Sequence, residues 1–96
     1  MLVMIVSTKG KLAAGAVRDL YGKGFPHDLI RRTRAILSAM DAAVVVDDLR
    51  FPPGNRLEAL KGNRAGQHSV RINDQWRICF VWTDRGPADV EIVDYH

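Results

Sequence analysis

The chain has 96 residues, 47% of them hydrophobic and 26% charged, with a formal net charge of +3. This length suits a single modest core, so we expect residues 1–96 to form one domain, and the composition excludes a disordered chain. The single cysteine, Cys79, excludes an intrachain disulfide and favours a reducing cytoplasm. Its place in an apolar run predicts a small buried core residue rather than a nucleophile.

The first predicted element is a strand over residues 2–6, where the chain is continuously apolar and rich in β-branched side chains. Such a composition is typical of a strand that is buried on both faces. The same run is far too short to span a bilayer, and no cleavable signal follows it. We therefore expect no membrane association.

Two helices are predicted next. A weak helix covers residues 12–21, softened by Gly15 and closed by the sequence GKG. Pro26 then suits the first turn of a stronger helix, with Asp28 early in it and an end near residues 41–43. The second helix has an apolar stripe, and its arginines fall largely away from that stripe. The apolar residues are Leu29, Ile30, Ile36, Leu37 and Met40, and the arginines are Arg31, Arg32 and Arg34.

After the rigid loop FPPGN, apolar and polar residues alternate with a period of two, which is typical of strands. Strands are predicted over residues 56–61, 67–72, 75–82 and 88–93, separated by turns at GNRAG, ND and DRGP. The alternation places one set of side chains on an apolar face and the other on a polar face. The apolar set is Val70, Ile72, Trp76, Ile78, Phe80, Trp82, Ala88, Val90 and Ile92; the polar set is Ser69, Arg71, Arg77, Asp89 and Glu91.

This order of elements predicts an α+β fold with an N-terminal strand, two helices and then an antiparallel β-meander. Short turns between successive strands favour the meander, and the helices must cover its apolar face. The polar face of the sheet is then left for function.

Positive charge is concentrated in the second half of the chain. Between residues 50 and 77 there are six basic and two acidic residues, a local charge of +4, so the rest of the chain carries −1. Such a concentration favours a polyanionic partner, nucleic acid first, although a solvated basic face gives the same composition. The basic residues are Arg50, Arg56, Lys61, Arg64, Arg71 and Arg77, and the acidic ones are Glu58 and Asp74.

Three short motifs occur together in this half: LKG at residues 60–62, WRI at residues 76–78 and DYH at residues 94–96. With the lead-in FPPGNRLEALKG, they resemble the HigB-type branch of the RelE superfamily, also called the plasmid maintenance killer family. The similarity covers essentially the whole chain. It implies a RelE-like, microbial-RNase-like sheet with helices on one face.

The resemblance also implies a function and partners. Such proteins are toxins of type II toxin–antitoxin pairs that enter the A site of the small ribosomal subunit, cleave mRNA and inhibit translation. It implies a helix-turn-helix, HigA-like antitoxin that neutralises the toxin and represses their operon. The alternative is a catalytically weak homologue that acts mainly as a co-repressor, bound to operator DNA through its antitoxin. The set Arg77, Tyr95 and His96 is superfluous for binding alone, which favours the enzyme.

Metal-independent RNA cleavage, in which the 2′-hydroxyl attacks the adjacent phosphate, needs a base, an acid and cations. Arg77 can offer two donors to phosphate oxygens, and Lys61 a point charge. His96 can give or take a proton at neutral pH, and Asp94 could orient it. Tyr95 could stack on a base or position the phosphate. The predicted RNA-binding residues are Arg56, Arg64, His68 and Arg71, with His68 acting as a stacking or packing substitute for an aromatic residue.

Some of these residues have plainer interpretations. Arg77 could be a solvated strand residue, Lys61 a turn residue and Tyr95 a cap on the core. Glu58 departs from the family, since relatives often carry a histidine at this position. A carboxylate there could serve as the base, but it also repels phosphate. No metal-ligand spacing and no glycine-rich phosphate loop occur, so we expect no metal and no cofactor.

Overall fold

The computed structural model describes residues 4–94. Helix α1 spans Lys11–Ala16, and a 3₁₀ turn at His27–Leu29 leads into helix α2, Ile30–Ala42. Four strands follow: β1 Glu58–Ala59, β2 His68–Arg71, β3 Trp76–Thr83 and β4 Gly86–Asp94. They form one antiparallel sheet in the order β1-β2-β3-β4, which confirms the α+β class and the meander.

The core lies between the helices and one face of the sheet. Its largest fully buried side chains include Phe80 and Ile78 from β3, Val70 from β2 and Met40 from α2. The predicted stripe of α2 is confirmed, because Ile36, Leu37 and Met40 are buried while Arg31 and Arg34 are exposed. Arg32 is half-buried, since its guanidinium donates to the carbonyl oxygens of Arg71 and Ile72 at the end of β2.

The predicted N-terminal strand is not found among the described residues, and residues 2 and 3 lie outside them. Residues 4–7 carry no strand, although the segment runs beside β4. One parallel bridge joins Thr8 to Val90, and the N–H groups of Val6 and Lys9 donate to Pro87 O and Val90 O at 2.7 and 2.8 Å. Met4 and Val6 are 61% and 48% exposed, so the expected burial on both faces is wrong for this part. A bulge in β4, where Asp89 has φ 51°, interrupts the regular ladder that a strand here would need.

Helix α1 ends five residues earlier than predicted, because a Schellman motif closes it. Asp19 has φ 60°, Leu20 N–H donates to Gly15 O at 2.8 Å, and Asp19 N–H donates to Ala16 O at 2.9 Å. Gly15 allows this approach, since a Cβ there would lie 2.4 Å from Leu20 O. The weak helix that was predicted is therefore shorter, and it buries Ala13 and Ala16.

Two strands differ from the alternation pattern. The strand predicted over residues 56–61 is reduced to Glu58–Ala59, because Arg56 and Gly62 have φ 46° and 63°, outside the extended region. In β4 the extra bulge residue shifts the register, so that Pro87 pairs with Trp82 and Ala88 pairs with Val81. Ala88 is therefore on the polar face, not on the apolar face as predicted.

The loop before β1 is held by one buried amide. Asn55 is 2% exposed, and its Nδ2 donates to Leu49 O and Phe51 O, each at 3.1 Å. We expect Asn55→Ala to lower the free energy of unfolding by about 1–3 kcal/mol, because two carbonyls lose their shared donor. Urea denaturation would measure it, with the exposed Asn63→Ala as the control. Equal effects of the two substitutions would contradict this role for Asn55.

Candidate active site

The polar face of the sheet carries the candidate site. Strand pairing aligns one residue from each strand in a row, Glu58, Ser69, Cys79 and Glu91. The next row on the same face contains Arg71, Arg77 and Val93. Since directly paired residues point to the same side of a sheet, these side chains lie opposite the core face that Ile78 and Val70 occupy.

Arg77 is a largely buried cation of this face. Its side chain is 13% exposed, and one terminal nitrogen donates to Ser69 Oγ while the other donates to Glu58 Oε1 at 3.0 Å. Ser69 is fully buried and Glu58 is 56% exposed. The plainer interpretation of Arg77 as a solvated strand residue is wrong, because partners on β1 and β2 fix its guanidinium.

An open depression of about 360 Å³ lies beside Arg77. It is lined by three arginines, two carboxylates and an asparagine, so its ionised groups carry a net charge of +1: Arg56, Arg71, Arg77, Glu58, Asp74 and Asn73. Arg71 forms an ion pair with Asp74, and this hydrogen bond lowers the pKa of the exposed Asp74 carboxyl. Clustered guanidinium groups in a concave surface are suited to binding a phosphate.

Arg64 shares the face but has a different environment. It donates to Glu91 Oε1 and to Gln67 Oε1, both at 3.1 Å, and the Arg64 and Glu91 side chains are only 31% and 26% exposed. Beside this pair Cys79 is fully buried, as predicted, and burial raises the pKa of its thiol. The thiol is thus kept protonated, which is unsuited to a nucleophile.

The structure does not bring His68 to the arginine-lined face. His68 pairs with Phe80 across the strands, and the two rings stack with centroids 6.0 Å apart and an interplanar angle of 22°. Its Nδ1 is buried, with no hydrogen-bond partner within residues 4–94. Of the two roles predicted for His68, packing is the one that this position supports.

The remaining predicted residues lie at the margins of the described site. Lys61 is exposed where the chain leaves β1 and does not line the depression. Asp94 ends β4 opposite Trp76, and Gln75 Nε2 donates to it at 3.2 Å. Tyr95 and His96 lie outside the described residues. Pairing of Val93 with Arg77 nevertheless places the end of β4 beside the arginine.

Two contributors were not assigned a site role from sequence. The alternation pattern had placed Ser69 on the polar face, but not as the acceptor for Arg77. Asn73 was interpreted as a turn residue, and its Oδ1 does accept from the backbone N–H groups of Gln75 and Trp76. Asn73 also lines the depression. Hydroxyl and amide side chains beside arginine in a strand pattern are the signal that could have identified them.

Within the described part of the chain, no three His, Cys, Asp or Glu side chains come together as metal ligands. Over the same range, no helix is long and apolar enough to cross a membrane.

The molecule is thus an α+β protein whose meander sheet carries helices on one face and an arginine-lined depression on the other. The solved structure of a YoeB dimer from Staphylococcus aureus is similar, with a TM-score of 0.57. The alignment covers 100% of this chain and 99% of that chain, at 18% sequence identity, a level at which the likeness shows a shared fold alone.

A family model described as the RelE-like toxin of the type II toxin–antitoxin system HigB matches residues 18–96. The chain therefore belongs to the HigB-like toxin family of the RelE superfamily, as the motifs predicted. One relative is Toxin HigB-1 of Vibrio cholerae serotype O1 (strain ATCC 39315 / El Tor Inaba N16961), 52% identical over 48 residues. That segment is 50% of this chain and spans half the length of the relative.

Proposed function

We propose that the chain is an endoribonuclease that cleaves mRNA in the ribosomal A site and so inhibits translation. The observation that carries the proposal is Arg77, fixed by Ser69 and Glu58 within a depression that Arg56 and Arg71 also line. Membership of the HigB-like toxin family supports the same activity.

The proposed reaction needs no metal. The 2′-hydroxyl of one nucleotide attacks the adjacent phosphorus, a new O–P bond forms, and the bond to the 5′-oxygen of the next nucleotide breaks. Arg77 binds the phosphate and stabilises its developing charge, with Arg71, Arg56 and Lys61 adding positive charge around it. His96 donates a proton to the departing oxygen, with Asp94 orienting it and Tyr95 positioning the substrate. Glu58, which lines the same depression, is one possible base that takes the proton of the attacking 2′-hydroxyl.

The experiment that tests this function compares three substrates with the purified protein: message on programmed ribosomes, the same message free, and operator DNA with the co-encoded antitoxin. We expect a cut in the A-site codon of the ribosome-bound message. Intact message together with antitoxin-dependent operator binding would favour the co-repressor alternative.

We propose a helix-turn-helix, HigA-like antitoxin as the partner that holds this activity in check, and operator DNA as the target of the complex. The support is the family description, which places these toxins in type II toxin–antitoxin systems. Production of the chain without the antitoxin should then arrest growth.

Binding of RNA to this face should depend steeply on salt. If Arg56, Arg71 and Arg77 each neutralise a phosphate, the affinity for a 2′-O-methyl RNA should fall about 20-fold between 50 and 200 mM salt. Fluorescence anisotropy measures it without cleavage, because the methylated RNA lacks the attacking hydroxyl. An affinity that is flat over this range would contradict a phosphate role for the arginines.

A further inference from the structure

Phe51 is an exposed aromatic side chain in the loop that leads to the arginine-lined depression. It is 70% exposed, whereas Phe25 and Phe80 are 3% and 0% exposed in the core. We propose that the ring of Phe51 stacks on an unpaired base of the message, on the β1 side of the phosphate that Arg77 binds. This inference rests on the proposed function, because that function places RNA on this face of the sheet.

The backbone around Phe51 is fixed, so the ring is presented on an ordered loop. Asn55 is buried, its Nδ2 donates to Phe51 O at 3.1 Å, and its backbone N–H donates to Pro52 O at 3.0 Å. Pro52 and Pro53 restrict φ directly after the ring. An aromatic side chain also has only two torsions to fix, so stacking on it costs little conformational entropy.

Arg32 joins this loop to the rim of the depression. Its Nη2 donates to Gly54 O at 3.3 Å and to Arg71 O at 2.8 Å, so the loop and the end of β2 are held side by side. Arg71 lines the depression, and so does Arg56, which directly follows the loop. The loop that carries Phe51 therefore adjoins two of the three arginines of the depression.

The strand order decides on which side of the phosphate this loop lies. The sheet has the order β1-β2-β3-β4 with Arg77 on β3, and the loop of Phe51 precedes β1 and lies beside the end of β2. The end of β4 lies on the other side of Arg77, where Val93 pairs with it. A base on Phe51 therefore belongs to a nucleotide on the side of the reacting phosphate away from the end of β4.

An exposed ring beside clustered arginines is suited to single-stranded RNA, because the cations bind phosphates while the ring stacks on a base. A protein surface is the other candidate ligand, since Val44 and Val45 are also exposed. Their N–H groups, however, bind the carboxylate of Asp48, which repels phosphate, whereas the loop of Phe51 adjoins arginines. Every base has a face that can stack, so Phe51 should add affinity without a codon preference.

Phe51→Ala tests the proposal, because it removes the ring and keeps the backbone carbonyl that Asn55 binds. The dissociation constant for the 2′-O-methyl RNA should rise about 5- to 100-fold, the loss expected for one stacked base. Phe51→Trp keeps an aromatic face and should bind within about threefold of the wild type, whereas Phe51→Leu should bind nearly as weakly as Phe51→Ala. Leu20→Ala is the matched control, since Leu20 is 59% exposed beyond the end of α1, and it should leave the constant unchanged.

Salt dependence separates stacking from a disturbed arginine. Phe51 is uncharged, so Phe51→Ala should weaken binding at every salt concentration and leave the slope of log affinity against log salt unchanged. Loss of an arginine that contacts phosphate would reduce that slope by about one.

Three results would overturn the proposal: equal affinity of Phe51→Ala and the wild type, full recovery by Phe51→Leu, or no binding of the RNA by the wild type. Normal RNA binding by Phe51→Ala with a weaker complex with the antitoxin would assign the ring to a protein partner instead. If no protein cuts message on programmed ribosomes, the proposed nuclease fails, while the RNA titration still decides the role of Phe51.

Discussion

Arg77→Ala should lower the rate of message cleavage by about 10²–10³-fold, the loss expected when a transition-state donor is removed. The arginine lies on the open face of the sheet, opposite the core side chains of β3, so its truncation creates no cavity among them. Arg77→Lys keeps one positive charge but loses the paired donors, and it should recover only part of the rate. Single-turnover cleavage on programmed ribosomes measures both variants.

Arg34→Ala provides the matched control for this prediction. Arg34 is also an ion-paired arginine, bound to Asp19 at 2.6 Å, but it belongs to α2 and lines a different cavity. Its loss removes the same charge and should leave cleavage within about twofold. A folded Arg77→Ala protein that cuts as fast as Arg34→Ala would remove Arg77 from the mechanism.

Deletion of Tyr95 and His96 should abolish cleavage while the domain stays folded. The deletion removes no position of the predicted apolar face, and β4 is paired with β3 as far as Asp94. His96→Ala alone should cost about 10²–10⁴ in rate if the imidazole is the general acid. Circular dichroism and urea denaturation would confirm folding, and the ribosome assay would measure the rate.

His27 offers a control for that substitution. It is an exposed histidine at the start of the 3₁₀ turn before α2, so His27→Ala should leave the rate unchanged. A protein lacking residues 95 and 96 that still cuts at the original rate would show that the C-terminal residues take no part in catalysis.

The alternation of apolar and polar residues, with the short turns between them, was enough to locate most of the sheet. The alternation at Val70, Ile78 and Phe80 predicted the core face, and short turns predicted the meander, because both depend on local chemistry. The wrong element boundaries lie where the backbone leaves the ordinary regions of φ and ψ. Left-handed residues at Asp19 and Arg56 ended a helix and shortened a strand, and neither is a glycine whose identity would have signalled it.

In the candidate site, too, the sequence predicted the face of the sheet on which side chains lie but not their hydrogen-bond partners. Alternation placed Ser69, Arg71 and Arg77 on one face, and this arrangement is found. The partners of these side chains depend on tertiary contacts that sequence spacing does not encode: Glu58 reaches Arg77 from another strand, and Arg64 is held by Glu91, 27 positions away. His68 was predicted as a stacking or packing substitute for an aromatic residue, and only the cross-strand pairing shows that its ring packs on Phe80.

The chemical identity of the cut ends tests the central claim most directly. Message cleaved by the purified protein on programmed ribosomes would be recovered, and its new termini examined by mass spectrometry. Attack by the 2′-hydroxyl at an arginine-bound phosphate predicts a 2′,3′-cyclic phosphate on one fragment and a 5′-hydroxyl on the other. A 5′-phosphate with a 3′-hydroxyl, or message left intact, would contradict the account.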